Sequence, residues 1–383
     1  MLMELSLHFV TNIIIATVCL AMGTIFITIP IPPKEGLKKY KISLKVIATS
    51  YFILSALSLL ILIFKLSDNA REHFTFIGIS VSSFQAFLFT FALITLINPK
   101  YITIKSISAQ FSPIVILGIF YGIFYSRYGD PVIAHFNEIP MYLNNPTLWV
   151  RLIFYAFYIF QLIYYTWLFL KEDKNSKSRM MDFFSEDIWL KLSWVRVAFF
   201  SALTVGIIAM VSYLFPQKYD WIFTLIYSVF YFGFALEYVK YNKIYTIVEP
   251  AMVEEKTEPA QNNFHTKIKQ DWEPLKNQII SNQRFLESGI NIETMARQLG
   301  VGRTVLSTLI NREEGMNFNT WINTLRISKA KEYMLNNPDE SLSVIAEMVG
   351  YTEHANFSRQ FKQITGESPL IWKKKQLTHS FVE

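Results

Sequence analysis

Seven apolar segments, each about twenty residues long, dominate the chain before Tyr241 and constrain its fold more than any other feature. A helix needs about twenty mostly apolar residues to cross a hydrocarbon core of about 30 Å. The sequence therefore predicts seven transmembrane helices in a membrane domain of residues 1–241. Their expected positions are residues 8–29, 42–64, 74–97, 107–125, 148–170, 192–214 and 219–238.

The basic residues beside these segments predict the orientation of the membrane domain, because cytoplasmic loops carry an excess of Lys and Arg. The first segment has no cleavable signal and is expected to be a transmembrane helix. One alternate set of loops holds only Lys65, Arg71, Arg127 and Lys218. This asymmetry places the N-terminus outside and the region after residue 241 in the cytoplasm. The richer set comprises Lys34, Lys38, Lys39, Lys41, Lys45, Lys100, Lys105, Lys171, Lys174, Lys177, Arg179, Lys191, Lys240 and Lys243.

Polar residues inside the apolar segments leave two interpretations open. Gln85, Gln110 and Gln161 lie at membrane depth, and Arg196 and Glu237 lie near the cytoplasmic ends. One interpretation is a ligand cavity, because unsatisfied polar groups in hydrocarbon are costly. The alternative, which we favour, is that the polar side chains form hydrogen bonds between helices. The two charged side chains would then extend so that their charged ends reach the membrane surface.

The longest outer loop, residues 126–147, contains Asp130, His135, Glu138 and Tyr142. It either covers an extracellular ligand site or is a plain solvated connection. His135 and Glu138 alone are too few for a metal site, and Cys19 is the only cysteine, so no zinc site built from several cysteines is expected. The apolar segments also contain no catalytic arrangement of acidic, nucleophilic or nucleotide-binding residues. We therefore expect no cofactor, no metal and no enzyme activity.

Residues 242–271 are polar and acidic, and Pro250 and Pro259 interrupt them. Such a composition buries too little apolar surface to fold alone, which predicts a flexible linker. A helical signalling connector is the alternative.

The region from Trp272 onward has apolar residues at helical spacing, which predicts an all-helical domain of residues 272–383. Within it, Ala296-Arg-Gln-Leu-Gly300 recurs fifty residues later as Ala346-Glu-Met-Val-Gly350. Each copy ends an apolar helix at glycine, which tolerates the left-handed conformation of a helix C-cap. A turn and a second helix follow, with Thr352 as the expected N-cap of the later one. The pattern predicts helix-turn-helix units at about 292–311 and 342–364, joined by a helix at about 318–336.

The duplication makes the prediction more specific, because single helical hairpins with glycine turns are common in proteins that never bind DNA. A rigid connecting helix can hold two recognition helices about 34 Å apart, so that both reach successive major grooves. Charge adds little, since residues 265–383 hold fifteen Lys and Arg against thirteen Asp and Glu. DNA binding is thus inferred from the motif.

Several further motifs lie in the last hundred residues or so. They are Met295-Ala-Arg-Gln-Leu-Gly300, Gly315-Met-Asn-Phe-Asn-Thr-Trp-Ile-Asn-Thr-Leu-Arg326, Ala330-Lys, Ile345-Ala-Glu-Met-Val-Gly-Tyr351, Asn356-Phe-Ser-Arg-Gln-Phe-Lys362 and Thr365-Gly-Glu-Ser-Pro369. Taken together, they resemble the DNA-binding domain of AraC-type (AraC/XylS) transcription regulators. One departure is Trp372-Lys373, where the family usually has an aromatic residue followed by arginine. Most such regulators are soluble, so the resemblance implies nothing about what the seven apolar helices sense.

The resemblance implies which side chains face DNA. Arg359 is the strongest of them, because a guanidinium can bond O6 and N7 of guanine bidentately. Its alternatives are a phosphate contact or a salt bridge. Short side chains such as Ser307 are expected to contact phosphate directly or through water, and Asn356 to cap or pack. The implied DNA-binding residues are Arg303, Thr304, Ser307 and Thr308 in the first unit, and His354, Ala355, Ser358, Arg359 and Lys362 in the second.

Together these features predict an all-α protein: a seven-helix membrane bundle, a linker and a cytoplasmic double helix-turn-helix domain. We expect a transcription regulator in a bacterial inner membrane that couples an unidentified signal to promoter binding. The expected partners are double-stranded DNA, the lipid bilayer and a signal ligand, and a homodimer and a contact with RNA polymerase stay open. The alternatives are a membrane anchor whose DNA-binding domain is released by proteolysis at the linker, and a transporter or enzyme bundle with an appended regulator.

Overall fold

The computed structural model describes residues 2–33, 37–63, 75–133, 136–212, 219–252 and 271–380. Lys34, Lys65, Arg71, His135, Lys218 and most of the expected linker lie outside these ranges. The chain divides into two compact units. We call residues 1–174 and 192–252 the seven-helix unit, and residues 175–191 and 253–383 the C-terminal unit. The described residues contain helices and one isolated β-bridge, which confirms the all-α prediction.

The seven-helix unit contains the seven apolar helices that the sequence predicts. All seven are long and apolar enough to cross a membrane. The helix α3 has the largest buried share and α4 the smallest, so α3 lies at the centre of this unit and α4 at its edge. The helices are α1 (Leu2–Thr28), α2 (Lys38–Ile63), α3 (Phe76–Ile97), α4 (Ile104–Tyr128), α5 (Pro146–Phe183), α6 (Ser193–Ser212) and α7 (Asp220–Met252).

Buried tyrosines join α2 to α7. The Tyr51 hydroxyl donates to the Tyr231 carbonyl oxygen at 2.7 Å, and the Tyr238 hydroxyl donates to Ser43 Oγ at 2.9 Å. The rings of Tyr40 and Tyr245 stack with centroids 4.8 Å apart. The rings of Tyr51 and Tyr238 thus contribute apolar contact while their hydroxyls are hydrogen-bonded, as buried tyrosine requires.

Two glutamines form the hydrogen bonds between helices that the favoured interpretation predicts, and one of them, Gln85, also lines a cavity, as the other interpretation predicts. Gln161 in α5 accepts from Ser83 Oγ of α3 at 2.6 Å, and Gln85 in α3 donates to the Ser50 carbonyl oxygen of α2 at 3.1 Å. Gln110 instead bonds the nearby Tyr101 hydroxyl at 2.8 Å. Such bonds hold apolar helices together where no water can satisfy an amide.

Arg151, which the sequence analysis did not single out, is fully buried in α5. Its Nη1 donates to Asp130 Oδ1 at 2.7 Å and to the Pro131 carbonyl oxygen at 2.8 Å. The Tyr121 hydroxyl donates to the other oxygen of Asp130, also at 2.7 Å. The start of the long outer loop is therefore bound to α4 and α5, which differs from a plain solvated connection.

Two helices extend beyond their expected ends. The helix α5 continues to Phe183, thirteen residues past the expected end at Leu170. The helix α7 continues to Met252, so residues 242–252 are helical and were wrongly assigned to the flexible linker. Tyr241, Tyr245 and Val248 are buried at helical spacing there, and this packing outweighs the polar composition that suggested a linker.

The C-terminal unit contains the two expected helix-turn-helix units and two further helices, α8 and α14. Asn291, Asn317 and Ser341 cap α9, α11 and α12 by accepting bonds from backbone N–H groups. Thr352 does not cap α13, as the sequence had suggested, because its hydroxyl donates to Glu186 Oε2 at 2.7 Å. The helices are α8 (Trp272–Ser281), α9 (Ile292–Gln298), α10 (Arg303–Leu309), α11 (Phe318–Asn336), α12 (Leu342–Met348), α13 (His354–Thr365) and α14 (Pro369–Ser380).

The repeated glycines Gly300 and Gly350 both adopt positive φ, at 70° and 87°, where the chain turns between the two helices of a unit. Their surroundings differ. A Cβ on Gly300 would meet nothing within 4 Å, whereas a Cβ on Gly350 would lie 2.3 Å from the Leu286 carbonyl oxygen. The second turn therefore packs against backbone, and the first is open.

We predict that Gly350→Ala destabilises the C-terminal unit by about 3 kcal/mol or more, because left-handed strain adds to a backbone clash. Gly300→Ala, the matched control, carries only the conformational cost of about 1–2 kcal/mol. The measurement is the temperature at which protease begins to cut the C-terminal unit of the purified full-length protein. Equal effects of the two variants would contradict the close packing at Gly350.

Candidate nucleic-acid interface

The helices α10 and α13 each have one buried apolar side and one exposed polar side. Leu306 and Leu309 of α10 are fully buried, as are Phe357 and Phe361 of α13. The second pair packs on Ile327 and other apolar residues of α11 and α12. The core thus fixes which side of each helix faces outward. Of the residues that the AraC resemblance implies, six are exposed: Thr304, Thr308, His354, Ala355, Arg359 and Lys362.

The other three implied residues, Arg303, Ser307 and Ser358, are half-buried. The Arg303 guanidinium lies over the ring of Phe183, 4.6 Å from its centroid. Cation–π contacts of this kind attract a cation to an aromatic face. Phe183 is the last residue of α5, so a residue outside the helix-turn-helix region covers part of the first recognition helix.

Arg359 forms a salt bridge within the C-terminal unit. Its Nε and Nη2 lie 2.9 Å and 2.8 Å from Asp187 Oδ2, and Nη2 also donates to Asn356 Oδ1 at 2.8 Å. Gln360 Nε2 donates to the same Asp187 oxygen at 2.7 Å. The arginine side chain is 39% exposed, while that of Asp187 is 4% exposed. The salt bridge that the sequence analysis gave as an alternative is therefore present in this structure.

Asp187 belongs to a short run, Phe183–Asp187, that packs against the helix-turn-helix region and that we call the docked segment. Ser185 is fully buried, and its hydroxyl donates to the Ile290 carbonyl oxygen at 2.6 Å. Phe184 pairs with Asn291 in an antiparallel bridge. The sequence analysis missed this segment because it considered only the basic residues of the 171–191 loop. It did not consider the two acidic residues, Glu186 and Asp187.

Asn323, in the first half of α11, connects the docked segment to the second helix-turn-helix unit. Its Nδ2 donates to the Ser185 carbonyl oxygen at 2.8 Å, and its Oδ1 accepts from the Tyr351 hydroxyl at 2.6 Å. One turn earlier, Asn319 donates to the Phe184 carbonyl oxygen at 3.2 Å. Both amides are buried, so these bonds replace water that the site excludes.

Arg326, one turn after Asn323, is fully buried and holds the turn before α9. Its Nε and Nη2 each donate at 2.7 Å, to the carbonyl oxygens of Phe285 and Glu287. The guanidinium also lies over the ring of Tyr351 at 5.2 Å. Burial lowers the pKa of Arg326, but an arginine keeps its charge in proteins, so the carbonyl groups and the ring stabilise a cation.

Comparison with known proteins agrees with this geometry. Residues 295–375 match the family model described as a helix-turn-helix domain. The chain carries an AraC-type helix-turn-helix domain. The AraC-type domain includes both turns, the connecting helix α11, the two recognition helices α10 and α13, and the start of α14.

Three curated relatives resemble the chain over 23% to 26% of its length. The Msm operon regulatory protein of Streptococcus mutans serotype c is 27% identical over 88 residues, which are 23% of this chain and 31% of the relative. The raffinose operon transcriptional regulatory protein RafR of Pediococcus pentosaceus is 30% identical over 92 residues, 24% and 33% of the two chains. The transcriptional activator NphR of a Rhodococcus species is 26% identical over 98 residues, 26% and 29%.

The chain thus spans about a third of the length of the curated relatives it matches. No solved structure matches it. The similarity to these relatives spans 88 to 98 residues and supports a DNA-binding transcription regulator of the AraC type.

We predict that Arg326→Lys destabilises the AraC-type domain by about 2–3 kcal/mol, because one ammonium cannot replace a planar fork that serves two buried carbonyl groups. Arg297→Lys is the matched control, since Arg297 is exposed and its ion pair with Glu293 lies within α9. Its expected effect is within about 0.5 kcal/mol. The temperature at which protease cuts the C-terminal unit measures both, and tolerance of Arg326→Lys would contradict the role of the fork.

Proposed function

We propose that the protein is a membrane-bound, sequence-specific transcription regulator of a bacterial inner membrane. Its AraC-type domain binds double-stranded promoter DNA through α10 and α13, while the seven-helix unit holds the domain at the membrane and receives a signal. The observation that carries this proposal is the pair of recognition helices with outward polar sides, in one chain with seven apolar helices long enough to cross a membrane.

The side chains of the two helices divide into base-reading and positioning groups. Arg359 is assigned to guanine, because its fork matches O6 and N7 in the major groove. Lys362, one turn later and exposed, is assigned to phosphate. The remaining contacts are assigned to bases or phosphates within reach of each helix: Arg303, Thr304, Ser307 and Thr308 from α10, and His354, Ala355 and Ser358 from α13.

A cavity of about 760 Å³ in the seven-helix unit favours sensing over plain anchoring. Ligand pockets have volumes of about 300–1,000 Å³ and mostly apolar walls with a few polar groups. His8, Tyr121, Asp130 and Asp220 lie along this cavity, near the helix ends that the distribution of basic residues assigns to the outer side. A signal molecule from outside the cell, or from the outer leaflet, would have direct access to such a site.

The experiment that tests DNA recognition is genome-wide mapping of the DNA bound by the intact protein, followed by binding assays on the recovered sites. Arg359→Ala is expected to weaken binding by about 1–3 kcal/mol and to relax specificity at one base pair. Lys362→Ala is expected to weaken binding to all sequences alike and to reduce the salt dependence by about one unit of slope. A mapped set of sites without a shared motif, or binding unchanged in both variants, would contradict the proposal.

The experiment that tests sensing fills the cavity. Ala202 lines the cavity from α6, so a tryptophan there would fill it. In cells with Ala202→Trp, the expression of a reporter gene from a mapped promoter is therefore expected to be the same in every growth medium. Ile207→Trp, on an exposed position of the same helix, is the control and is expected to respond as wild type. The measurement is the range of reporter output across media, with the amount of protein in the membrane checked by blotting. A full range in Ala202→Trp cells would contradict a signal site in this cavity.

A further inference from the structure

We propose that the docked segment and DNA compete for the same surface of the AraC-type domain. The surface formed by α10, α11 and α13 is then a binding site for an acidic peptide, and residues 183–187 of the same chain occupy it in this structure. The inference rests on the proposed function in one respect, namely that DNA contacts α10 and α13. It goes beyond that function by naming what blocks the contact.

The segment is bound through specific hydrogen bonds and not by loose proximity. The carbonyl oxygens of Phe184 and Ser185 accept from two buried amides of α11, Asn319 and Asn323. The Ser185 hydroxyl bonds the turn before α9, as described above. Backbone and side chain of the segment therefore fix its register on the domain, which places the two following carboxylates beside α13.

These carboxylates engage the groups that DNA needs. Asp187 engages Nε and Nη2 of Arg359, two of the three nitrogens that could bind a guanine edge or a phosphate, and Glu186 accepts from Thr352 just before α13. On the other recognition helix, Phe183 covers the Arg303 guanidinium. A carboxylate is a close mimic of phosphate toward an arginine fork. One arginine in each recognition helix is thus occupied by the segment.

One buried carboxylate oxygen of the docked segment lacks a hydrogen bond among the described residues, which favours release of the segment. Glu186 is 9% exposed, yet its Oε1 accepts no hydrogen bond from any residue that the structure describes. A buried carboxylate oxygen without a partner raises the free energy of the docked state. Lys191 and Glu353, at 3.5 Å, form only an exposed pair beside it. Release of the segment returns this carboxylate to water, which offsets part of the lost bonding.

The docked segment includes the end of α5, whose first part is the fifth apolar span. The helix α5 continues without interruption from Pro146 to Phe183. A helix transmits displacement along its axis, so a signal that shifts the fifth span would move Phe183 and the residues after it. This continuity gives the membrane signal a covalent path to the residues that block DNA.

The first test removes the charge that holds Arg359. Asp187→Asn in the full-length protein is expected to raise affinity for duplex DNA by about fivefold. The probe is a pool of fluorescent random-sequence duplexes of about 40 base pairs at low salt, where sequence-independent binding is measurable. Asp339→Asn, an exposed position of the same domain with the same change in net charge, is the matched control. If the two variants gain equally, net charge explains the gain and the proposal is overturned.

The second test locks the segment in place. Residues paired in an antiparallel bridge lie about 4.5–5.5 Å apart at Cα, which a disulfide can span. Phe184→Cys with Asn291→Cys places a cysteine pair at the bridge, and the chain's own Cys19 is buried and far along the sequence. The oxidised protein is expected to lose DNA binding by at least about tenfold, and reductant is expected to restore it. Because the oxidised and reduced forms of the same variant are compared, any effect of the two substitutions on DNA binding is the same in both forms.

The outcomes separate the two proposals. Failure of the disulfide to form would overturn the docked arrangement, and a crosslinked protein that binds DNA as well as the reduced protein would overturn the competition. In both of those cases DNA binding itself would stand. Absence of DNA binding by the reduced variant and by wild type would contradict the proposed function instead, while the crosslink yield would still report docking.

Discussion

The buried amide of Asn323 is the interaction on which the arrangement of the C-terminal unit depends. A side-chain amide without partners costs free energy in a site that excludes water, so its bonds specify what must lie around it. Here they specify the Ser185 carbonyl oxygen on one side and the Tyr351 hydroxyl on the other. A buried polar group in the first half of α11 therefore selects one position for the docked segment and one for the second turn, which apolar packing alone would leave free.

The helix α11 carries this network without losing its role as a connector. Its Ile327, Ala330 and Met334 belong to the apolar core of the second helix-turn-helix unit. Asn319, Asn323 and Arg326 are buried nearer the start of α11. Apolar residues hold the recognition helices, and polar residues hold the backbone of the segment and of the turn before α9. One helix thus joins the two helix-turn-helix units and also binds the segment that, in our proposal, competes with DNA.

The sequence predicted those features that depend on neighbours along the chain. Apolar segments of about twenty residues identified the seven long helices, and the repeated glycines identified the two turns. It did not predict the pairing of Asp187 with Arg359, because 172 positions separate them and each looks like an ordinary surface charge. The same reason explains the end of α7, where contacts with distant tyrosines override a polar composition. The DNA contacts stay predictions from resemblance.

Because the docked segment belongs to the same chain as the AraC-type domain, it can compete with DNA even if its intrinsic affinity for the domain is weak. A segment tethered to its own target acts at an effective concentration of about 1 mM. With an intrinsic dissociation constant of about 0.1 mM, it would then be docked in roughly ten molecules for each one undocked. Because DNA binds only the undocked form, its apparent affinity would fall about tenfold, a cost of about 1.4 kcal/mol. Since this net docking free energy is small, a displacement of α5 that weakens the bonds at Asp187 or Ser185 is enough to shift the balance toward DNA.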